Sequence, residues 1–369
     1  MKSLNIICDE NITYAKEAFS FFGNLTLLPG REITNNHLLS ADILIVRSVT
    51  NVNEELLKNT KIQFVGTTTI GDDHLDKSYL LNKGIKFASA PGCNSYAVSE
   101  WVITSLLNII VKNNLYPESA AVIGYGNIGS KVAEIFEAIG LQTKIVDPLK
   151  EDIFPEINFY SIDEILDCDI ITFHTPLVKN GEYPTYHLMN EERIKELKDK
   201  SILINTSRGA VVDNAALNKI LETKKIFTAF DVWENEPEIN ISLMNKIDIA
   251  TPHIAGYSFE GKVNGTKIIY DELCSFLKIN NKWAPELPAV TENEIIPNKK
   301  NNYGVLHEIT NRIYNIINDD ADLRKNPDKF DLLRKNYKVR REFNNYLVKG
   351  NKINDDLKKI LQTLRLVLV

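Results

Sequence analysis

The stretch VIGYGNIGS, residues 122–130, sets Gly124, Gly126 and Gly129 in the spacing G-x-G-x-x-G directly after the apolar run Ala120-Ala121-Val122-Ile123. Downstream, Ile128, Val132, Ile135, Phe136 and Ile139 recur at helical spacing. The context predicts a strand, a tight turn and a helix, with the turn backbone and the helix N-terminus facing a pyrophosphate. Gly124 would permit the turn, Gly126 the close approach of phosphate, and Gly129 the packing of helix on strand. Asp147 closes the next apolar run, where its carboxylate would accept hydrogen bonds from an adenosine ribose. A 2′-phosphate about 4 Å away would meet roughly 4 kcal/mol of repulsion at an effective dielectric near 20, so NAD is expected as cofactor rather than NADP.

Working outward, short apolar runs alternate with helical patterns on both sides of the glycines. Before them stand LNIIC (4–8), ADILIVRS (41–48), IQFVGT (62–67) and IKFASA (85–90), then a helical stretch over 99–113. From the glycine turn onward come AAVIG (120–124), TKIVD (143–147), DIITFHT (169–175), SILINTS (201–207), IFTAFDV (226–232) and DIATPHI (248–254). Such alternation predicts parallel sheets with crossover helices. Six runs suffice for a nucleotide-binding sheet, so the glycines lie late because another α/β domain precedes them. Beyond residue 286 the texture turns to Pro, Asn and Lys, which reads as a linker. In the tail Leu306, Ile309, Ile313 and Ile316 hold helical spacing, and LKKILQTLRLVLV ends the chain. A tail this short is marginal alone and would bury a face against a partner subunit.

At 369 residues, with 44% hydrophobic and 25% charged residues, several ordinary globular domains are expected. The net charge of −6 argues against a general nucleic-acid or membrane-surface binder. Four scattered cysteines, Cys8, Cys93, Cys168 and Cys274, suggest neither a disulfide framework nor a thiolate metal site, as in a reducing cytoplasm. His74, His174 and His187 lack metal-ligand spacing, and no metal is expected. The basic run RKNYKVRR (334–341) reads as a solvated helix face or an intersubunit contact.

Three charged residues fall at or just after strand ends: Arg208 in NTSRG, Glu236 in DVWENEP and His253 in TPHIAG. Ligands of an open parallel sheet gather at those ends. Oxidising a secondary alcohol needs a base for the hydroxyl proton as hydride departs, and His253 titrates in the correct range. Glu236 beside it would fix the tautomer, and Arg208 offers a planar fork for a carboxylate. In the leading domain Arg47 and Ser48 end the second run and Thr67 to Thr69 end the third, so an Arg, hydroxyls and amides could converge on an anion, which suits a phosphorylated substrate.

At these residues the sequence resembles the D-2-hydroxyacid dehydrogenase family. The likeness rests on the glycine turn, Asp147, FHTPL (173–177), INTSRGAVVD (204–213), DVWENEP (231–237) and HIAGYSFEG (253–261), over most of residues 60–265. It implies Arg208, Glu236 and His253 as the catalytic residues, with His253 the acid/base. Matches to a branch that oxidises a phosphorylated acid lie in DENI (9–12), VRSVT (46–50), FVGTTTIGDDHLD (64–76), PGCNSYAVSEW (91–101) and FDLLRKNYKVRREF (330–343). That branch implies Ser48, Thr69 and Tyr257 as substrate contacts, with Asp147, Thr175, Asp231 and Gly256 contacting NAD. The fold class so implied is α/β, two Rossmann-like or flavodoxin-like parallel-sheet domains around a cleft plus a small α+β dimerisation domain. The expected boundaries are 1–96 with 259–285 for the substrate-binding lid, 97–258 for NAD, and 286–369 for a homodimer-forming tail. The partner is then a small phosphorylated hydroxy acid, with no nucleic acid and no membrane. Two alternatives remain, a 3-phosphoglycerate dehydrogenase type of enzyme and an NAD-sensing corepressor on the same fold.

Overall fold

The computed structural model of the chain describes residues 3–350 and 353–369. Two compact units form, Met1–Asn94 with Ser258–Ala289, and Ser95–Tyr257 with Val290–Val369. The residues after 290 are therefore part of the nucleotide-binding unit's own body.

In the first unit five parallel strands, β1 (Leu4–Asp9), β2 (Gly23–Leu28), β3 (Ile43–Val46), β4 (Phe64–Thr67) and β5 (Lys86–Ala88), lie in the order β2-β1-β3-β4-β5. The central strands read as unbroken apolar runs because both faces are covered. Ile6, Cys8, Ile43, Ile45 and Phe64 face one way and pack with Ile269, Tyr270 and Leu273 of the helix Phe259–Leu277. Ile7, Leu44, Val46 and Val65 face the other. Ser258 starts that helix, its Oγ accepting the Gly261 N–H at 2.8 Å.

The second unit has six parallel strands, β6 (Ser119–Ile123), β7 (Gln142–Val146), β8 (Ile170–Phe173), β9 (Ile202–Asn205), β10 (Phe227–Phe230) and β11 (Ile249–Ala250), in the order β11-β10-β9-β8-β6-β7. Every run expected there from residue 119 onward is a strand. Val122, Ile170, Ile202 and Ile204 point toward Trp101 and Leu106 of the helix Ser95–Asn113, whereas Ile123, Ile171, Phe173 and Leu203 point toward Ile194, Leu217 and Leu243. The connection switches direction beside β6, which places the glycine turn at the crevice of the sheet.

The tail adds three short parallel strands, β12 (Glu294–Ile295), β13 (Leu347–Val348) and β14 (Val367–Leu368), with helices including Asn302–Ile313, Ile316–Lys325, Phe330–Lys335 and Asp355–Thr363. The stripe from Leu306 to Ile316 is not one helix: it stops at Ile313, and Asn315 precedes a second helix. Leu306, Ile309, Phe343, Leu357 and Leu361 enter the core that also holds Trp101 and Leu106. The basic run differs from its expected solvated face. The helix ends at Lys335, and Arg340 and Arg341 are buried. Among the described residues no helix is long and apolar enough to cross a membrane.

Candidate active site

The nucleotide turn comes first because its geometry follows from three residues without side chains. Gly124 has φ 93°, and a Cβ there would lie 2.6 Å from the His174 carbonyl oxygen. A Cβ on Gly129 would sit 1.8 Å from the Gly124 oxygen, so the helix Gly129–Ala138 can start only against bare backbone. A Cβ on Gly126 would meet nothing within 4 Å, so space is open beside that backbone. The turn is anchored by Gly124 N donating to Val146 O at 2.8 Å and His174 N donating to Ile123 O at 2.7 Å. Asp147 follows β7, and its Oδ2 accepts the Tyr125 N–H at 2.8 Å, tying the acidic residue to the turn itself. Thr175, after β8, has a buried Oγ1 with no hydrogen-bond partner in the protein. Open space at Gly126, a helix N-terminus and an orphaned hydroxyl fit a dinucleotide laid over the ends of β8, β6 and β7.

The other three strands carry the charged candidates. Arg208 follows β9, Glu236 lies beyond β10 and His253 beyond β11, and these strands are neighbours in the sheet. His253 Nδ1 is 2.7 Å from Glu236 Oε2. Glu236 Oε1 accepts the Trp233 N–H at 2.8 Å, so both carboxylate oxygens are fixed and the imidazole's tautomer with them. Burial pushes the Glu236 carboxyl up, but His253, its hydrogen bond, the Trp233 N–H and Arg334 outweigh that and hold it below the usual carboxylate range.

The loop bearing His253 is built on Asp231. Its buried carboxylate accepts the Ile254 and Ala255 N–H groups at 2.8 Å each and the Thr251 hydroxyl, and its carbonyl accepts the His253 N–H at 2.7 Å. Burial raises the Asp231 carboxyl, against His253 and these hydrogen bonds. Asp231 is thus engaged in shaping the loop. Gly256 follows in the turn closed by Tyr257 N donating to Ile254 O at 2.8 Å.

Arg208 begins the turn after β9. Asn205 organises it, Oδ1 accepting the Ser207 N–H at 3.0 Å and Nδ2 donating to Arg208 O at 3.0 Å, while Arg208 Nη1 donates to Ser207 O at 2.8 Å. A Cβ on Gly209 would lie 1.9 Å from the Trp233 carbonyl carbon. The Arg208 turn and the Glu236 loop are therefore packed backbone to backbone.

In the first unit Ser48 is exposed in the turn after β3, and Thr69 Oγ1 shares hydrogen bonds with Thr67 Oγ1 at 2.8 Å and Gly71 O at 2.9 Å. Arg47 is held by Asp9, Nε to Oδ2 at 2.9 Å and Nη2 to Oδ1 at 3.4 Å, with Asp9 fully buried. One edge of its fork is thereby occupied. His187 lies between two carboxylates, Nε2 3.1 Å from Glu234 Oε1 and Nδ1 3.6 Å from Asp213 Oδ2, so both ring nitrogens are engaged in ion-pair geometry.

Three comparisons with known proteins bear on this geometry. Residues 95–255 match the family described as D-isomer specific 2-hydroxyacid dehydrogenase, NAD binding domain, and residues 287–364 match a domain of unknown function, DUF3410. Over 354 residues, 94% of each chain, the sequence is 44% identical to the erythronate-4-phosphate dehydrogenase of Escherichia coli, and a relative of that name from Shigella boydii serotype 4 matches to the same extent. The chain belongs to the erythronate-4-phosphate dehydrogenase family. It is an NAD-dependent oxidoreductase of the D-2-hydroxyacid dehydrogenase type. The fold is similar to that of the D-lactate dehydrogenase from Aquifex aeolicus complexed with NAD and lactic acid, with TM-score 0.65 and 27% identity over 74% of this chain and 96% of that one. The 3-phosphoglycerate dehydrogenase of Entamoeba histolytica shares the fold, with TM-score 0.64 and 23% identity over 76% and 100% of the two chains.

Residues of the tail also reach this site, which the sequence reading missed. Arg340 Nη2 donates to the carbonyls of Ala97 and Ala255, bracing the His253 loop, and its guanidinium lies 4.3 Å over the Tyr314 ring. Tyr337 stands edge-on to Tyr257, centroids 6.0 Å apart, and Arg334 lies 5.9 Å from the Tyr257 ring. The only signal was one aromatic, Tyr337, inside the basic run between Phe330 and Phe343, which favours packing over solvation.

Proposed function

We propose that the chain oxidises 4-phospho-D-erythronate to (R)-3-hydroxy-2-oxo-4-phosphobutanoate, a step toward pyridoxal 5′-phosphate. NAD when bound supplies the acceptor for the hydride from C2. His253 Nε2 takes the C2 hydroxyl proton, because Glu236 holds Nδ1 and leaves the other nitrogen as acceptor. Glu236 stabilises the imidazolium as it forms. Arg208 holds the substrate carboxylate and draws electron density from the adjoining oxygen. Ser48, Thr69 and Tyr257 contact substrate in this reading, and Gly124, Gly126, Gly129, Asp147, Thr175, Asp231 and Gly256 contact or shape the NAD site.

The His253–Glu236 pair at 2.7 Å, at the ends of adjacent strands, is the observation that carries the chemistry. The substrate follows from the name of relatives 44% identical over 94% of the chain. The protein works in the cytoplasm as a homodimer joined through residues of the tail. The test follows NADH absorbance with 4-phosphoerythronate and, separately, 3-phosphoglycerate, with a 2-oxo acid acceptor present in case the cofactor stays bound. Turnover at least about a hundredfold more efficient with 4-phosphoerythronate is expected, a ratio within reach of one charged contact. Preference for 3-phosphoglycerate would replace the substrate, and NADH binding without turnover of either acid would mark a sensor.

A further inference from the structure

We propose that Arg334, carried by the C-terminal segment, recognises the phosphate of the substrate; the inference rests on the function proposed above. Arg334 stands near the end of the helix Phe330–Lys335, its guanidinium 5.9 Å from the ring centroids of both Tyr257 and Phe330. Its side chain is only 16% exposed. Nε is buried with no hydrogen-bond partner, and Nη1 makes one long contact, 3.5 Å to Oδ1 of the more exposed Asp331. Its remaining interactions run to the Tyr257 hydroxyl and, electrostatically, to Glu236.

A guanidinium carries five N–H donors in a planar fork, and a desolvated one with unspent donors is stabilised by an arriving anion. The other candidate cations are directed elsewhere. Arg47 grips the buried Asp9 through two nitrogens, and Arg208 turns Nη1 onto its own chain while serving the carboxylate end of the substrate. Arg334 joins the surroundings of Tyr257, a proposed substrate contact, and brings two features that suit a phosphate dianion: a fork, and a phenolic hydroxyl beside it. A carboxylate in water would gain less from such a site than a dianion.

The experiment compares wild type, Arg334→Gln and Arg334→Lys, each with NAD, on 4-phosphoerythronate and on unphosphorylated erythronate. Arg334→Gln should raise KM for the phosphorylated acid by about ten- to a hundredfold, and lower kcat/KM for erythronate by a factor at least about fivefold smaller, the part that comes from losing a cation beside Glu236. Arg334→Lys, with charge but no fork, should fall between. Calorimetric titration of the NADH-loaded protein with inorganic phosphate gives a reading that needs no turnover, and its affinity should fall in the same order. Equal losses on both acids, or unchanged selectivity and unchanged phosphate affinity, would overturn the inference. If Arg334→Gln does not fold, the KM rise in Arg334→Lys decides. A wild type that oxidises neither acid fails the proposed function, whereas loss of phosphate binding in Arg334→Gln would still uphold the anion site.

Discussion

His253 holds a φ of 56°, a left-handed conformation that costs a non-glycine residue about 1–2 kcal/mol and persists only where its surroundings dictate it. Here the surroundings are the buried Asp231 carboxylate on the following amides and Glu236 on Nδ1. The geometry predicts that His253→Asn lowers kcat by about 10²–10⁴-fold while NADH affinity, read by fluorescence titration, stays within about twofold. A loss in binding equal to the loss in rate would mean the residue shapes the loop and moves no proton. His174 gives a different prediction. Its ring nitrogens face the Thr172 and Thr206 hydroxyls, and burial pushes the imidazole down to about 3 although one edge of the residue reaches solvent. Below its ordinary value of 6.5 the unfolded chain binds a proton that the folded chain refuses until about pH 3. Unfolding takes up that proton, so stability falls as pH drops through this window. The solvated edge tempers the effect to about 1 kcal/mol between about pH 7 and pH 5, where a fully enclosed ring would give roughly 2. Urea midpoints of wild type and His174→Gln at the two pH values should show the shallower acid slope in the variant, and equal slopes would refute the assignment.

At the level of elements, the contact between the Arg208 turn and the Glu236 loop is where two strand ends become one site. Gly209→Ala would drive a methyl into the Trp233 carbonyl group, 1.9 Å from its carbon and 2.0 Å from its oxygen, so the loops must part. We expect a loss of about 2–4 kcal/mol in thermal or urea unfolding and at least a hundredfold lower kcat/KM, with NADH affinity less affected because the glycine turn lies on other strands. Retained activity would show that the two loops need not touch. Strand ends of this kind were legible in the sequence because central parallel strands, covered on both faces, read as bare apolar runs. The edge strand Gly23–Leu28 escaped notice: GNLTLL is half exposed and weakly patterned. The Ile313–Ile316 spacing gave no warning of a break, since a stripe shows which face is apolar and not whether one helix carries it. Arg208, Glu236 and His253 were readable because each follows an apolar run, whereas Arg334 and Arg340 depend on tertiary packing that a basic run does not reveal.

For the whole molecule, the open matter is what residues 290–369 do. A segment that served only to pair subunits could be removed to leave a soluble monomer that still binds NADH. The packing argues otherwise. Leu306, Ile309, Phe343, Leu357 and Leu361 share one core with Trp101, Val102 and Leu106 of the helix under the nucleotide sheet, and Phe343 N donates to the buried Glu100 at 2.8 Å. Each such side chain contributes about 1.5–3 kcal/mol on burial, so five of them, about 7.5–15 kcal/mol, are comparable with the 5–15 kcal/mol that separates a typical folded domain from its unfolded chain. Arg340 adds a direct link, since its removal would leave the Ala255 carbonyl of the His253 loop unbraced. A chain ended after residue 289 should therefore aggregate or melt without a cooperative transition, and fail to bind NADH in the fluorescence titration. A soluble, cooperatively folded monomer with wild-type NADH affinity would show that the tail is a detachable pairing device. Substitutions confined to exposed tail residues such as Leu332 and Val339 probe pairing separately. If subunits associate through that surface, Leu332→Glu with Val339→Glu should shift the mass measured by light scattering toward the monomer while the unfolding transition stays cooperative, because neither side chain belongs to the shared core.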